Sequence, residues 1–160
     1  MRNMYMEFEK IRKMNIDEIN AKFLFLGEGI SRVVFAIDDN YVIKVSKGRE
    51  GLYQNRVENY VYTHAKAEFR KYLCPIIWTK PDVIVMPRAI QLSSLTSEKY
   101  IDLKTIRPEI SAKRDLLHLA KRFYLYYNDI KSVSSWGIVN NIAMLIDYGC
   151  TNEEGDRYYG

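Results

Sequence analysis

Three short β-rich runs, KFLFL, VVFAI and YVIKV, follow one another between residues 22 and 45 and leave the chain few ways to fold. GEGIS separates the first two, and Asp38-Asp39-Asn40 joins the second and third as a tight polar hairpin. Gly48 and Gly51 bracket a loop, after which the pattern turns helical. Tyr53, Val57, Tyr60, Val61, His64 and Ala65 form the stripe of a helix packed on a sheet. Two more runs, PIIWT and DVIVM, are joined across Lys80-Pro81-Asp82, and Pro87 closes the second. Three strands, a helix and two strands thus follow one another within about 65 residues.

The flanks are less constrained. Residues 6–20 read as helical and partly solvated, with Asn15 or Asp17 as a cap or break. The segment from Ile90 to Ile106 reads as a short helix with loops. Pro108 stands near the start of a helix with Leu116, Leu117, Ala120, Phe123, Tyr124 and Tyr127 on one face. WGIV and AMLID are strands joined across Asn140-Asn141, and the polar tail TNEEGDRYYG is expected to fray.

Composition narrows the classes. With 160 residues, 48% apolar and 28% charged, the chain has the makings of one domain with its own core, not a disordered segment. A net charge of +4, from 24 basic and 20 acidic residues, is too weak a bias to argue for nucleic acid, which normally needs a clustered basic face, so nucleic acid is not the expected partner. The 13 tyrosines fit packed core edges, and KRFYLYY has the spacing of an ordinary helix face with solvated charges. Tyr126, Tyr127 and Trp136 read either as an exposed patch or, for Trp136 and Tyr127, as core. Cys74, Cys150, His64 and His118 have no metal-ligand spacing. The charged start MRNMYMEFEKIRKM is unlike a signal peptide, and no apolar run reaches membrane-spanning length, so a cytoplasmic setting with free thiols is expected.

Four features then fall in order. LGEGISRVVFAID places glycines between two strands, where a bare backbone can approach phosphate oxygens and turn its N–H groups on them. Lys44, on the third strand, can reach a phosphate. Glu58, on the following helix, is spaced to face it and to hold the ammonium charged and in place. Asp147, in LIDYG, is a natural ligand for Mg²⁺ bridging two phosphates. Each has an ordinary alternative: a hairpin turn, a snorkelling lysine, a solvated glutamate, a turn-starting aspartate.

In this order the features resemble the protein kinase-like superfamily, including the small kinase-like proteins of bacteria and their phages. The resemblance covers roughly residues 20–150. Gly27 and Gly29 match the first two glycines of the phosphate-covering loop, Val34 its valine, Lys44 the strand lysine, Glu58 its helix partner and Asp147 the metal-binding aspartate. It implies an α+β fold with a five-stranded antiparallel N-lobe over about 20–87 and a hinge from Met86 to Ile90. A strongly reduced, mainly helical C-lobe follows over 91–150, then a flexible tail over 151–160. ATP and Mg²⁺ are the implied cofactors.

The departures from the family fall where transfer chemistry sits. Arg32 stands at the third glycine position. Aligned on Trp136-Gly137, the stretch NDIKSVSSWG puts Ile130 at the catalytic-base position and Ser135 at the position of the metal-binding asparagine. Asp129, one residue early, is the candidate base if the loop carries an extra residue. After Asp147 only 13 residues follow, too few for the family's substrate-binding helices. The expected function is therefore a degenerate kinase-like protein that binds nucleotide, a protein partner or both. The alternative is an active minimal phosphotransferase acting on a protein or small-molecule hydroxyl.

Overall fold

The computed structural model describes residues 3–160, and these divide into two compact units. The first comprises residues up to Asn59 together with Pro75–Arg88, and the second comprises Tyr60–Cys74 and Ala89–Gly160.

The first unit opens with two short helices, α1 (Met4–Arg12) and α2 (Ile16–Lys22). The Asn3 side chain accepts from Tyr5 N–H to cap α1, and Lys10 and Arg12 complement the dipole at its end. Asn15 is the break that the sequence offered. Its side chain accepts from Glu18 N–H at 2.8 Å, and the Glu18 carboxylate accepts from Asn15 N–H, which makes a capping box.

The sheet is β1 (Leu24–Glu28), β2 (Arg32–Ala36), β3 (Tyr41–Ser46), β4 (Trp78–Lys80) and β5 (Val83–Pro87). All neighbours are antiparallel, in the order β1-β2-β3-β5-β4. The expected α+β fold with a five-stranded antiparallel sheet is thus present. The β2–β3 turn closes as expected, with the Asp38 carboxylate accepting from the Asn40 and Tyr41 amides.

Strand parity divides the sheet chemically. Val33, Phe35, Ile43, Val83 and Val85 join Phe8, Ile11 and Ile19 in one buried core, so α1 and α2 cover that face. The alternate positions, Arg32, Val34, Ala36, Val42, Lys44, Ile84 and Met86, face the other way, toward α3 (Arg49–His64). A slip of one residue would exchange an apolar face for one carrying two cations, which pins the register.

In the second unit, α4 (Ala67–Arg70) leads into a bridge between Leu73 and Leu145. The segment expected to be a short helix with loops contains a strand, β6 (Ile90–Gln91), a 3₁₀ turn and a short helix, α5 (Leu103–Ile106). Then come α6 (Ala112–Phe123), α7 (Tyr127–Ile130), β7 (Trp136–Val139), β8 (Ile142–Leu145) and α8 (Glu153–Tyr159), with a small sheet ordered β6-β7-β8. Asn140 and Asn141 both take positive φ, 50° and 66°, as a two-residue hairpin turn requires.

Two expectations are corrected. The buried stripe of α6 is Ala112, Leu116, Leu119, Ala120 and Phe123, whereas Leu117 is exposed. The tail folds as α8, because the Asn152 side chain caps it through Gly155 N–H and the Tyr159 hydroxyl donates to the Phe123 carbonyl. Trp136 is core: it is fully buried, and its indole N–H donates to the Ile130 carbonyl at 2.7 Å.

Candidate functional site

Lys44, Glu58 and Arg32 meet on the inner face of the sheet in the first unit. Lys44 pairs across the strands with Val34 and Ile84, which places the ammonium stem between apolar neighbours. Its Nζ donates to Glu58 Oε1 at 2.7 Å. Arg32 Nη1 reaches the same oxygen at 3.1 Å and Nη2 reaches Oε2 at 3.2 Å, a two-pronged contact that leaves the carboxylate little freedom to turn. All three are buried, Glu58 completely. Burial raises the Glu58 pKa, but the charges and hydrogen bonds of Arg32 and Lys44 outweigh it, and the carboxyl is held down at about 2.

Asn55 completes the cluster. It is buried, its Oδ1 accepts from Arg32 Nη1 at 3.2 Å, and its Nδ2 donates to the Pro81 carbonyl at 3.3 Å. Gly51, Asn55 and Glu58 thus form a polar line on the buried face of α3, beside the apolar stripe of Val57 and Val61. Gly51 must be glycine for packing reasons. An added Cβ would strike the Ser31 carbonyl and lie 2.6 Å from Ser46 Cβ, so the helix could not approach the β1–β2 loop.

That loop is tied down at several points. Gly29 N–H donates to the Arg32 carbonyl at 2.9 Å, Ser31 Oγ donates to Gln54 Oε1 at 2.8 Å, and Lys47 Nζ donates to the Gly29 carbonyl at 3.0 Å. Gly27 sits at the register irregularity between β1 and β2. Neither loop glycine is demanded by the fold: a Cβ on Gly27 would meet nothing within 4 Å, and one on Gly29 only the Arg32 carbonyl at 4.0 Å. Their backbone stands in open space, as a phosphate-covering loop needs. A groove of about 560 Å³ lies elsewhere in the unit, between α3 and the β4–β5 turn, and shares only Asn55 with the cluster.

The second unit holds the aspartates. Asp147 lies two residues beyond β8 and is half-buried. The following Tyr148 is core, with its hydroxyl donating to the Cys74 carbonyl at 2.9 Å. Asp129 is half-buried on α7, while its neighbour Ile130 is 2% exposed and packs in the core. Ser135 is buried, and its Oγ donates to the Asp129 carbonyl at 2.7 Å. Asp129 and Asp147 act on one neighbour. Burial pushes the Cys150 thiol up to about 11, and the carboxylates of Asp129, Asp147 and Asp156 push the same way. Among the described residues, no three His, Cys, Asp or Glu side chains gather to hold a metal ion. No helix among them is long and apolar enough to cross a membrane.

No family model and no curated protein matches this chain. Solved structures similar to it include two complexes of one protein. A streptomycin–ATP–APH(2″)-IIa ternary complex aligns at 15% identity and a TM-score of 0.46, over 93% of this chain and 72% of that one. A gentamicin–APH(2″)-IIa complex aligns at 15% and 0.42, over 93% and 71%. With both TM-scores under 0.5, neither match assigns a residue or an activity to this chain.

The sequence singled out Lys44 and Glu58 and saw Arg32 only as a departure. Parity was the available signal, because Arg32 shares its face with Val34 and Lys44. Asn55, three residues before Glu58, was legible in the same way as a polar residue on a buried helix face.

Proposed function

We propose that the chain is a kinase-like nucleotide-binding protein with a degenerate transfer loop, acting through the bound nucleotide, a protein partner or both. The buried Lys44–Glu58 pair, joined through Arg32 to a glycine-containing loop, carries this reading. Stability alone does not account for the pair, because well-packed apolar side chains of similar volume often serve a core as well or better. An ammonium held by a carboxylate and kept charged is what binding the α- and β-phosphates of ATP requires. The open backbone at Gly27 and Gly29 fits the same ligand, with Val34 beside Lys44 as an apolar wall. Asp147 is the residue assigned to Mg²⁺, a cation that takes one or two carboxylates and completes its shell with phosphate and water.

The degenerate reading of the transfer loop follows from Ile130 and Ser135. One is spent on the core and the other on a backbone hydrogen bond, which leaves neither as base or metal ligand. The alternative, an active ATP-dependent phosphotransferase with Asp129 taking the proton of a hydroxyl, draws support from one observation. Asp129 is only half-buried and acts with Asp147 on the Cys150 thiol.

Thermal unfolding with ATP, with and without Mg²⁺, tests the proposal on the wild type, Lys44→Ala and Asp147→Asn. Nucleotide at a hundredfold its dissociation constant stabilises by about 2.7 kcal/mol. The expected wild-type shift is lost in Lys44→Ala, and its Mg²⁺-dependent part is lost in Asp147→Asn. No shift at millimolar nucleotide in the wild type would overturn the nucleotide reading. Transfer of label from ATP to a hydroxyl acceptor, abolished by Asp129→Asn, would replace it with the active one.

A further inference from the structure

Arg32 does two things at once. Its carbonyl accepts from Gly29 N–H and closes the turn of the glycine loop. Its guanidinium grips both oxygens of Glu58 and also the Asn55 amide oxygen, from the first residue of β2. A carboxylate on a helix can rotate about its terminal torsion, and a single bond from Lys44 would not stop it. Two parallel N–H donors do. With Oε2 taken by Arg32, Oε1 is turned to Lys44 Nζ.

We propose that Arg32 is the positioning residue of the Lys44–Glu58 pair, presetting the ammonium and the glycine turn together through one side chain and one carbonyl before any ligand arrives. Its use in binding phosphate rests on the nucleotide reading above, but the positioning itself does not. The three groups are not a chain of independent contacts. α3 cannot withdraw from the sheet without parting Glu58 from both cations and Asn55 from Arg32, so the cluster holds or parts as one. An arginine is required because lysine offers a point charge and no fork.

Two measurements on the full chain test this. The first needs no nucleotide: the Lys44 ammonium protons, followed by nitrogen-detected NMR at neutral pH. A buried, hydrogen-bonded ammonium exchanges slowly enough to be seen. The signal is expected in the wild type and lost in both Arg32→Gln and Arg32→Lys, since the lysine variant restores the charge without the fork. A Lys44 signal unchanged in either folded variant overturns the proposal. Should Arg32→Gln fail to fold, Arg32→Lys carries the test alone.

The second is a double-mutant cycle on ATP affinity. Arg32→Gln is expected to weaken binding about tenfold when Lys44 is present and to have no further effect in Lys44→Met. Equal losses in both backgrounds would show that Arg32 acts by general packing and would overturn its role through Lys44. Absence of any binding by the wild type would defeat the nucleotide reading, and the ammonium signal would still decide for or against Arg32.

Discussion

The Lys44 cluster and the Asp129–Ser135 segment treat polar residues in opposite ways. In the first, a lysine, an arginine and a glutamate are buried and bonded to one another, with Asn55 bonded to the arginine. In the second, the positions aligned with a base and a metal ligand serve the core: Ile130 packs inside, and Ser135 holds a backbone carbonyl. Under the nucleotide reading proposed above, the contrast separates holding a phosphate from transferring one. Burying charge is expensive, and apolar side chains of similar volume often serve a core as well as three such groups do.

The sharpest way to break this comparison is Glu58→Ala. Removing the shared carboxylate takes from two buried cations the group that bridges them, and is expected to cost about 3–5 kcal/mol in urea unfolding. A loss under about 1 kcal/mol would mean that the cluster is not the over-determined element described here. Acid titration probes the same group. Because the folded carboxyl titrates near 2, below the ordinary value of 4.5, its contribution is fully present above pH 4.5 and is lost as the pH falls toward 2. Stability of Glu58→Gln should therefore fall less steeply over that interval than the wild type.

Ile130→Asp sharpens the other half. Were the aligned position open to a substrate, an aspartate there would complete the family's pattern. With Ile130 at 2% exposure, the substitution buries a carboxylate without a built partner and is expected to destabilise by roughly 3 kcal/mol. It should confer no phosphotransfer. A folded, unperturbed Ile130→Asp protein would place the residue in the loop's open face and reverse the reading of the segment.

Legibility followed the same division. The sheet could be read because turn chemistry and β-rich runs act locally. Asp38 and the Asn140-Asn141 pair are satisfied within a few residues of themselves, so spacing alone locates them. Lys44 and Glu58 could be read because strand parity and helix periodicity set their faces. Arg32 was seen as a missing glycine because its role depends on a carboxylate 26 residues away. Leu117 and Leu119 were exchanged because they flank opposite edges of the arc set by Leu116, Ala120 and Phe123, and tertiary packing decides which one turns inward. The α8 helix was missed for a similar reason. A polar heptad such as Glu153–Tyr159 has little drive to fold alone, and it is held by a cap, by Gly155 packed against the Thr151 side chain and by a tyrosine bonded to α6.

Ser135→Ala is the mildest test and the one that most cleanly separates the two halves. The hydroxyl is buried and donates to the Asp129 carbonyl, which also accepts from Ser132 N–H at 3.0 Å, so no acceptor is stranded when the hydroxyl goes. The expected cost is about 1 kcal/mol, the net worth of one neutral hydrogen bond. The nucleotide-dependent thermal shift should be unchanged, because the hydroxyl is already engaged with a backbone carbonyl. A variant that kept its stability and lost the Mg²⁺-dependent part of the shift would reverse that assignment. Ser135 would then stand in for the missing asparagine, and the transfer loop would have to be read as a working one.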